Sequence, residues 1–191
     1  MARQTRSTIE GTVNGVDVDR LKSTVEVMRA VPDLAKFTFR ATNRWMKGGL
    51  NRSTIGGFHG AGAENHRDGF IIDTAQPPLV AGGDEAPNPV EYLLHALVGC
   101  LTTTLVYHAA IQGVRIQAVE SQVEGQLDLR SFLGLREDLP GGFEGVEVRF
   151  RVKADCSEAE LAHLMDVARR RSPVANFVVR AVPTSVICEA M

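Results

Sequence analysis

Between Asn88 and Gln112 the chain reads NPVEYLLHALVGCLTTTLVYHAAIQ, and this stretch constrains the fold more than any other. Asn88 can accept a hydrogen bond from an early helical N–H, Pro89 suits the first helical position, and Glu91 stands where a capping-box acid reaches back to the cap. Apolar residues then run nearly all the way round the helix (Leu93, Leu94, Leu97, Val98, Leu101, Leu105, Val106), and Gly113 is placed to end it. The expectation is a long buried central helix. Cys100 sits inside it, beside Gly99.

The rest of the chain must supply what covers such a helix. Of its 191 residues 44% are hydrophobic and 23% charged, enough for one sizeable core or two small ones, and one domain is the simpler reading. The formal net charge of -2 gives no general attraction to phosphate backbones or anionic lipid, so no nucleic-acid or membrane partner is expected. MARQTRSTIEG has arginines with no apolar stretch after them and does not read as a secretory signal. His95 and His108 interrupt the most apolar run, so no membrane span is expected either. A cytoplasmic location follows as the expectation.

Residues 1–35 read as an N-terminal extension. Asn14-Gly15 signals a turn, and Asp17 or Asp19 can cap a helix carrying Leu21, Val25 and Met28 on one face before Pro32 ends it. Residues 36–191 read as the main domain. From Lys36 the pattern has period two, with Phe37, Phe39, Ala41 and Trp45 on one side, which predicts a half-buried strand. Gly48-Gly49 and a second strand from Ser53 to Phe58 complete a hairpin, and Gly60 to Gly69 and Gln76 to Pro87 read as loops.

Beyond Gly113, Val119, Val123, Leu127 and Leu129 alternate with polar residues as a long strand, and Val146, Val148, Phe150 and Val152 do so again after the turn Leu139-Pro140-Gly141-Gly142. The two are expected to pair, with basic residues of the second facing acids of the first. Ser157 with Glu160 opens a helix to about Arg171, whose Arg169-Arg170-Arg171 complements the negative helix end rather than forming a phosphate patch. Ser172-Pro173 starts another short helix, and Pro183 to Cys188 reads as a closing strand. The fold class is α+β with a mostly antiparallel sheet.

Three cysteines, Cys100, Cys156 and Cys188, fit neither a disulfide framework nor a zinc set, so reduced thiols are expected and each is by default a small buried residue. A thiol about three turns into a helix gains little from the helix dipole and needs a positive neighbour to become a reactive thiolate. Arg40, Arg44 and Arg52, in or beside the hairpin, are the candidates. Glu91 is split evenly between capping the helix and orienting such an arginine. His59, His66, His95 and His108 are scattered, and although His95 and His108 are read as sharing an angular position, no metal site is expected.

Taken together, Arg44-Trp45 with Gly48-Gly49, the loop Gly82-Gly83-Asp84, Asn88-Pro89-Val90-Glu91, Leu93-Leu94, Ala96-Leu97-Val98-Gly99-Cys100 and Ser172-Pro173-Val174 resemble, in order and spacing, the OsmC/Ohr family of thiol-dependent hydroperoxide reductases. The likeness spans about residues 36–189. It implies an OsmC-like fold in an intertwined homodimer, with Cys100 as peroxidatic cysteine acting on organic hydroperoxides. It also implies an activating arginine, first Arg52, with Arg44 or Arg40 in reserve, an acid at Glu91, no cofactor, and an external thiol or dithiol reductant. One residue departs from the pattern: peroxidase members carry a resolving cysteine before Pro-Val, and here that position is Ser172. Cys156 lies beyond the far end of a helix, about 20 Å away by helical rise, and is a poor substitute; Cys188 stays open. The resemblance therefore implies a one-cysteine thiol peroxidase, or alternatively a catalytically weak or inactive dimer that binds a small apolar ligand. A third reading gives the N-terminal helix a partner-docking role.

Overall fold

The computed structural model describes residues 11–139, 141–180 and 182–190. The arginines of the first ten residues and Pro140 of the expected turn lie outside the described residues. The chain divides into two compact units, Met1–Leu93 and Leu94–Met191.

In the first unit, strands β1 (Thr12–Val13) and β2 (Val16–Asp17) pair around Asn14 and Gly15. Both turn residues have positive φ, 55° and 77°, as a two-residue type I′ turn requires. Helix α1 (Val18–Ala30) follows, its first turn capped by the Asp17 carboxylate, which accepts from the Arg20 N–H at 2.9 Å. Pro32–Ala35 forms a 3-10 turn.

Strands β3 (Thr42–Lys47) and β4 (Leu50–Ile55) form the expected hairpin, and β7 (Phe70–Thr74) adds to β4, giving an antiparallel sheet in the order β3-β4-β7. Between β4 and β7 lies a small hairpin of β5 (Phe58–Gly60) and β6 (Ala63–Asn65); β6 falls inside the segment expected to be loop, and the second strand expected at Ser53 to Phe58 starts earlier, at Leu50, and ends at Ile55. The first strand is shorter than its alternation predicts. Among the described residues the strand pairing of residues 36–41 is limited to the Thr38–His59 bridge, and Phe37 and Phe39 stack on Phe58 with ring centroids 5.4 to 6.1 Å apart. Nor is β3 half-buried: it is an edge strand exposed along its whole length, with Trp45 69% exposed.

Helix α2 (Pro89–Ile111) begins in the first unit and continues through the second. Its start is capped as expected: Asn88 Oδ1 accepts from the Val90 N–H at 3.0 Å, and Glu91 Oε2 accepts from the Asn88 N–H at 2.7 Å. Its end is also as expected, with Gly113 at φ 75° and the Val114 N–H donating to the Ala109 carbonyl. The apolar girdle is not buried all round. Leu97, Leu101, Leu105 and Ala109 are buried on one side, while His95, Ala96, Gly99, Thr103 and Tyr107 are exposed on the other. His95 and His108 do not share a face either, since thirteen residues are about 220° of helical rotation. By length and composition alone this 23-residue helix is long and apolar enough to cross a membrane, so two histidines did not suffice to exclude that.

The second unit is built on that buried side. Strands β8 (Ile116–Leu127) and β9 (Phe143–Ala154) form an antiparallel ribbon with one half-buried face. Leu105 and Ala109 pack on Leu164 and Ala168 of α4 (Glu158–Arg171), with Val119 and Val152 beside them. Leu97 and Leu101 pack with Ala175 of α5 (Pro173–Val179) and with Val146, Val148 and Phe150. The ribbon's charge register holds at Glu120–Arg151, 2.6 Å, but sets Glu124 opposite Glu147. A short α3 (Leu129–Phe132) interrupts the connection, so Leu129 leaves the strand pattern; Asp128 caps it, and hydrogen bonds from Arg130 hold that carboxyl down at about 2. The expected strand at Pro183 to Cys188 is absent: the segment follows α5 with no ladder partner among the described residues.

Candidate active site

Cys100 lies on α2 between two buried neighbours, Leu97 one turn earlier and Leu101 next in sequence. Its thiol is free and half-buried. The same two leucines line a hollow of about 490 Å³ within the second unit, walled by Val148 and Phe150 of β9 and by Ala175 and Val179 of α5. Asp166 and Arg169 also contribute to its lining, and their charges are matched, Arg169 to Asp166 at 3.0 Å and Arg170 to Asp166 at 2.8 Å. The recess is largely apolar, and Cys100 itself is not among the residues that line it. Burial and, secondarily, the Arg171 charge push the His108 imidazole below its usual pKa, so the end of α2 favours a neutral histidine.

Ser172 is fully buried in the same unit and does two backbone jobs. Its N–H donates to the Ala168 carbonyl at 2.9 Å, closing α4, and its Oγ accepts from the Ala175 N–H at 3.2 Å, opening α5. Because Ala175 shares a cluster with Leu97 and Leu101, the start of α5 rests on the turns of α2 that flank Cys100. Cys156 is half-buried just before α4, and Cys188 is exposed in the terminal segment.

The arginine candidates all belong to the first unit and differ in their partners. Arg40 forks onto Glu64 at 3.0 and 3.2 Å, a carboxylate also within 3.3 Å of His59 Nδ1. Arg44 and Arg52 stand directly opposite each other on β3 and β4. Arg52 donates from Nε and Nη2 to both oxygens of Asp73, at 2.7 and 2.8 Å, whereas no ion pair involves Arg44 among the described residues. Thr42, Arg44, Met46, Arg52 and Thr54 line an open dish of about 390 Å³ on that sheet. Glu91 is taken up by the capping box, and no arginine pairs with it among the described residues. Sequence reasoning missed Asp73; the signal was a short apolar run, Phe70 to Ile72, just before it.

A family model described as OsmC-like protein matches residues 82–187, a span from the loop before α2 to the terminal segment. The chain belongs to the OsmC-like family. The fold is that of the family, with mixed helices and antiparallel sheets. An OsmC-like protein from Mycoplasma pneumoniae is similar at 18% identity and a TM-score of 0.59, covering 74% of this chain and 87% of that one. An organic hydroperoxide resistance protein OsmC from Legionella pneumophila is similar at 19% identity and a TM-score of 0.52, covering 74% and 88%. An OsmC-like protein of unknown function from Vibrio cholerae is similar at 16% identity and a TM-score of 0.51, covering 73% and 92%. At these identities the likeness is one of fold. No curated protein matches the sequence.

Proposed function

We propose that this OsmC-like protein is a thiol peroxidase that reduces organic hydroperoxides at Cys100. The observation that carries the reading is a free, half-buried thiol on α2, on the same turns of the helix as Leu97 and Leu101, which line an apolar recess. That environment suits a hydroperoxide with a bulky organic group better than a small polar one. The thiolate sulfur attacks the terminal peroxide oxygen, the O–O bond breaks, and the remaining oxygen takes a proton and leaves as the alcohol. Cys100 is oxidised by two electrons to a sulfenic acid. With serine at position 172, two thiol equivalents from an external thiol or dithiol return it to the thiol, releasing water and a disulfide. No cofactor enters this scheme. Arg52, with Arg44 beside it, is the cation assigned to stabilise the thiolate and the departing oxygen.

A homodimer and a cytoplasmic, reducing location belong to the same reading. Support for the dimer comes from the bare side of α2 and from large apolar side chains left exposed in the single chain, among them Trp45, Phe70 and Val179. Residues 1–35 are read as an extension to the 36–191 domain.

With cumene hydroperoxide and excess dithiothreitol, wild type is expected to consume peroxide and Cys100→Ser to fall to the uncatalysed rate. Equal slow rates for the two proteins would sink the enzyme reading. A second reading, a dimeric protein that binds a small apolar ligand in the recess, is favoured by Ser172 in place of a resolving cysteine. Intact mass after one equivalent of peroxide separates them: the peroxidase gains one oxygen on Cys100 and the binder gains none.

A further inference from the structure

The sheet of the first unit aligns three ionisable side chains in one cross-strand row: Arg44 opposite Arg52, and Arg52 opposite Asp73. Directly opposed residues share a face, and two like charges so placed repel each other. Asp73 resolves the conflict for one of them. Its two oxygens take the Nε–H and an Nη2–H of Arg52 in a planar fork, 2.7 and 2.8 Å. The Asp73 carboxylate itself is fixed at its backbone by the ladder to β4 and by the Tyr92 hydroxyl, which donates to the Asp73 carbonyl at 3.1 Å. Hydrogen bonding from Arg52 holds the Asp73 carboxyl below its usual range, so it is ionised throughout the neutral region.

Such a fork does more than neutralise. It uses two of the five guanidinium donors and leaves both Nη1 hydrogens and the second Nη2 hydrogen pointing away from Asp73, in a fixed plane. A cation that must meet a thiolate and then a leaving alkoxide gains from having its orientation settled beforehand. Glu91, the acid expected in that part, instead accepts the Asn88 N–H at the start of α2.

We propose that Asp73 is the positioning residue that orients Arg52 for the thiol chemistry, in place of Glu91. The inference rests on the reading of Arg52 as the activating cation. Asp73 acts through Arg52 and touches no substrate. Arg44, opposite and in no ion pair among the described residues, is left to add positive charge to the same face.

The test uses the full chain with Cys156 and Cys188 replaced by serine, so that alkylation reports Cys100 alone. Peroxide turnover with dithiothreitol and the pH profile of iodoacetamide alkylation are measured for wild type, Asp73→Asn, Glu91→Gln and Arg52→Lys. Asp73→Asn is expected to lower kcat/KM by on the order of tenfold to a hundredfold, as a misplaced catalytic group does, and to move the alkylation midpoint to higher pH. Adding Asp73→Asn to Arg52→Lys is expected to cost little more, and Asp73→Glu to recover most of the loss. Glu91→Gln, which can still serve a capping box, is expected to change neither readout. Should Asp73→Asn fail to fold, Asp73→Thr, a good strand former without the charge, is read the same way. An unchanged rate and profile in the Asp73 variants, with Arg52→Lys impaired, overturns this inference alone, as does a loss in Glu91→Gln equal to that in Asp73→Asn. An unimpaired Arg52→Lys removes the arginine reading beneath it.

Discussion

At the scale of single residues, Ser172 is where the chemistry of this chain is most restricted. The hydroxyl is fully buried and already serves as an N-cap, and a hydroxyl cannot form a mixed bond with a sulfenic acid. Cysteine is nearly the same size, and the start of α5 packs on the turns of α2 around Cys100. Ser172→Cys is therefore expected to convert the product of one peroxide equivalent from a sulfenic acid to a disulfide between Cys100 and the introduced thiol, seen in the intact mass as a loss of two hydrogens instead of a gain of one oxygen. Persistence of the oxygen adduct in that variant would show the two positions do not meet. The cost of losing the serine cap is about 1 kcal/mol, small enough for the variant to fold. Ser172 and Cys100 were both legible in the sequence because each sits in a local motif. Asp73 was not, because its partner Arg52 is 21 residues away and the pairing depends on strand β7, which has only five residues between two loops. Glu91 was legible as a cap and ambiguous as an orienter, since one carboxylate fits both patterns until its partner is known.

At the scale of elements, one fully buried cluster of the second unit brings α2 and α4 together beside the β8–β9 ribbon. Leu105 and Leu164 are each fully buried and meet in one cluster with Ala109 and Ala168. Leu164→Ala is expected to destabilise by about 3 kcal/mol, the transfer loss plus the cavity left behind, because the small alanines opposite cannot close the gap. Urea unfolding followed by circular dichroism measures this; a change below about 1 kcal/mol would mean the cluster relaxes or is less packed than described. Helices α1, α2, α4 and α5 were readable from caps and periodicity, since both are local. The β8–β9 pairing was readable from alternation, though not its register, which leaves Glu124 facing Glu147. The misses share a cause. The burial of β3, the fate of Phe37 and Phe39 and the pairing of Pro183 to Cys188 each depend on what lies opposite, and a period-two pattern states only that one side prefers apolar company.

At the scale of the whole molecule, the exposed side of α2 carries the argument. His95, Ala96, Gly99, Thr103 and Tyr107 face outward on a helix whose opposite side is buried, and small residues at three of those positions would let another backbone come close. Gly99 offers a clean probe. A Cβ built there meets no atom within 4 Å beyond its own stretch of helix in the single chain, and replacing glycine in a helix interior adds about 0.8 kcal/mol of helix propensity, so Gly99→Leu should leave the isolated fold intact or better. If a second copy seats on this side, the same substitution blocks it. Sedimentation velocity at micromolar concentration is expected to give a dimer for wild type and a monomer for Gly99→Leu, with helical content unchanged. A monomeric wild type would refute the homodimer, and a dimeric Gly99→Leu would move its interface off α2. Peroxide turnover of the Gly99→Leu monomer then tells whether the arginine serving Cys100 is supplied within one chain or by its partner: activity that survives in the monomer requires the former.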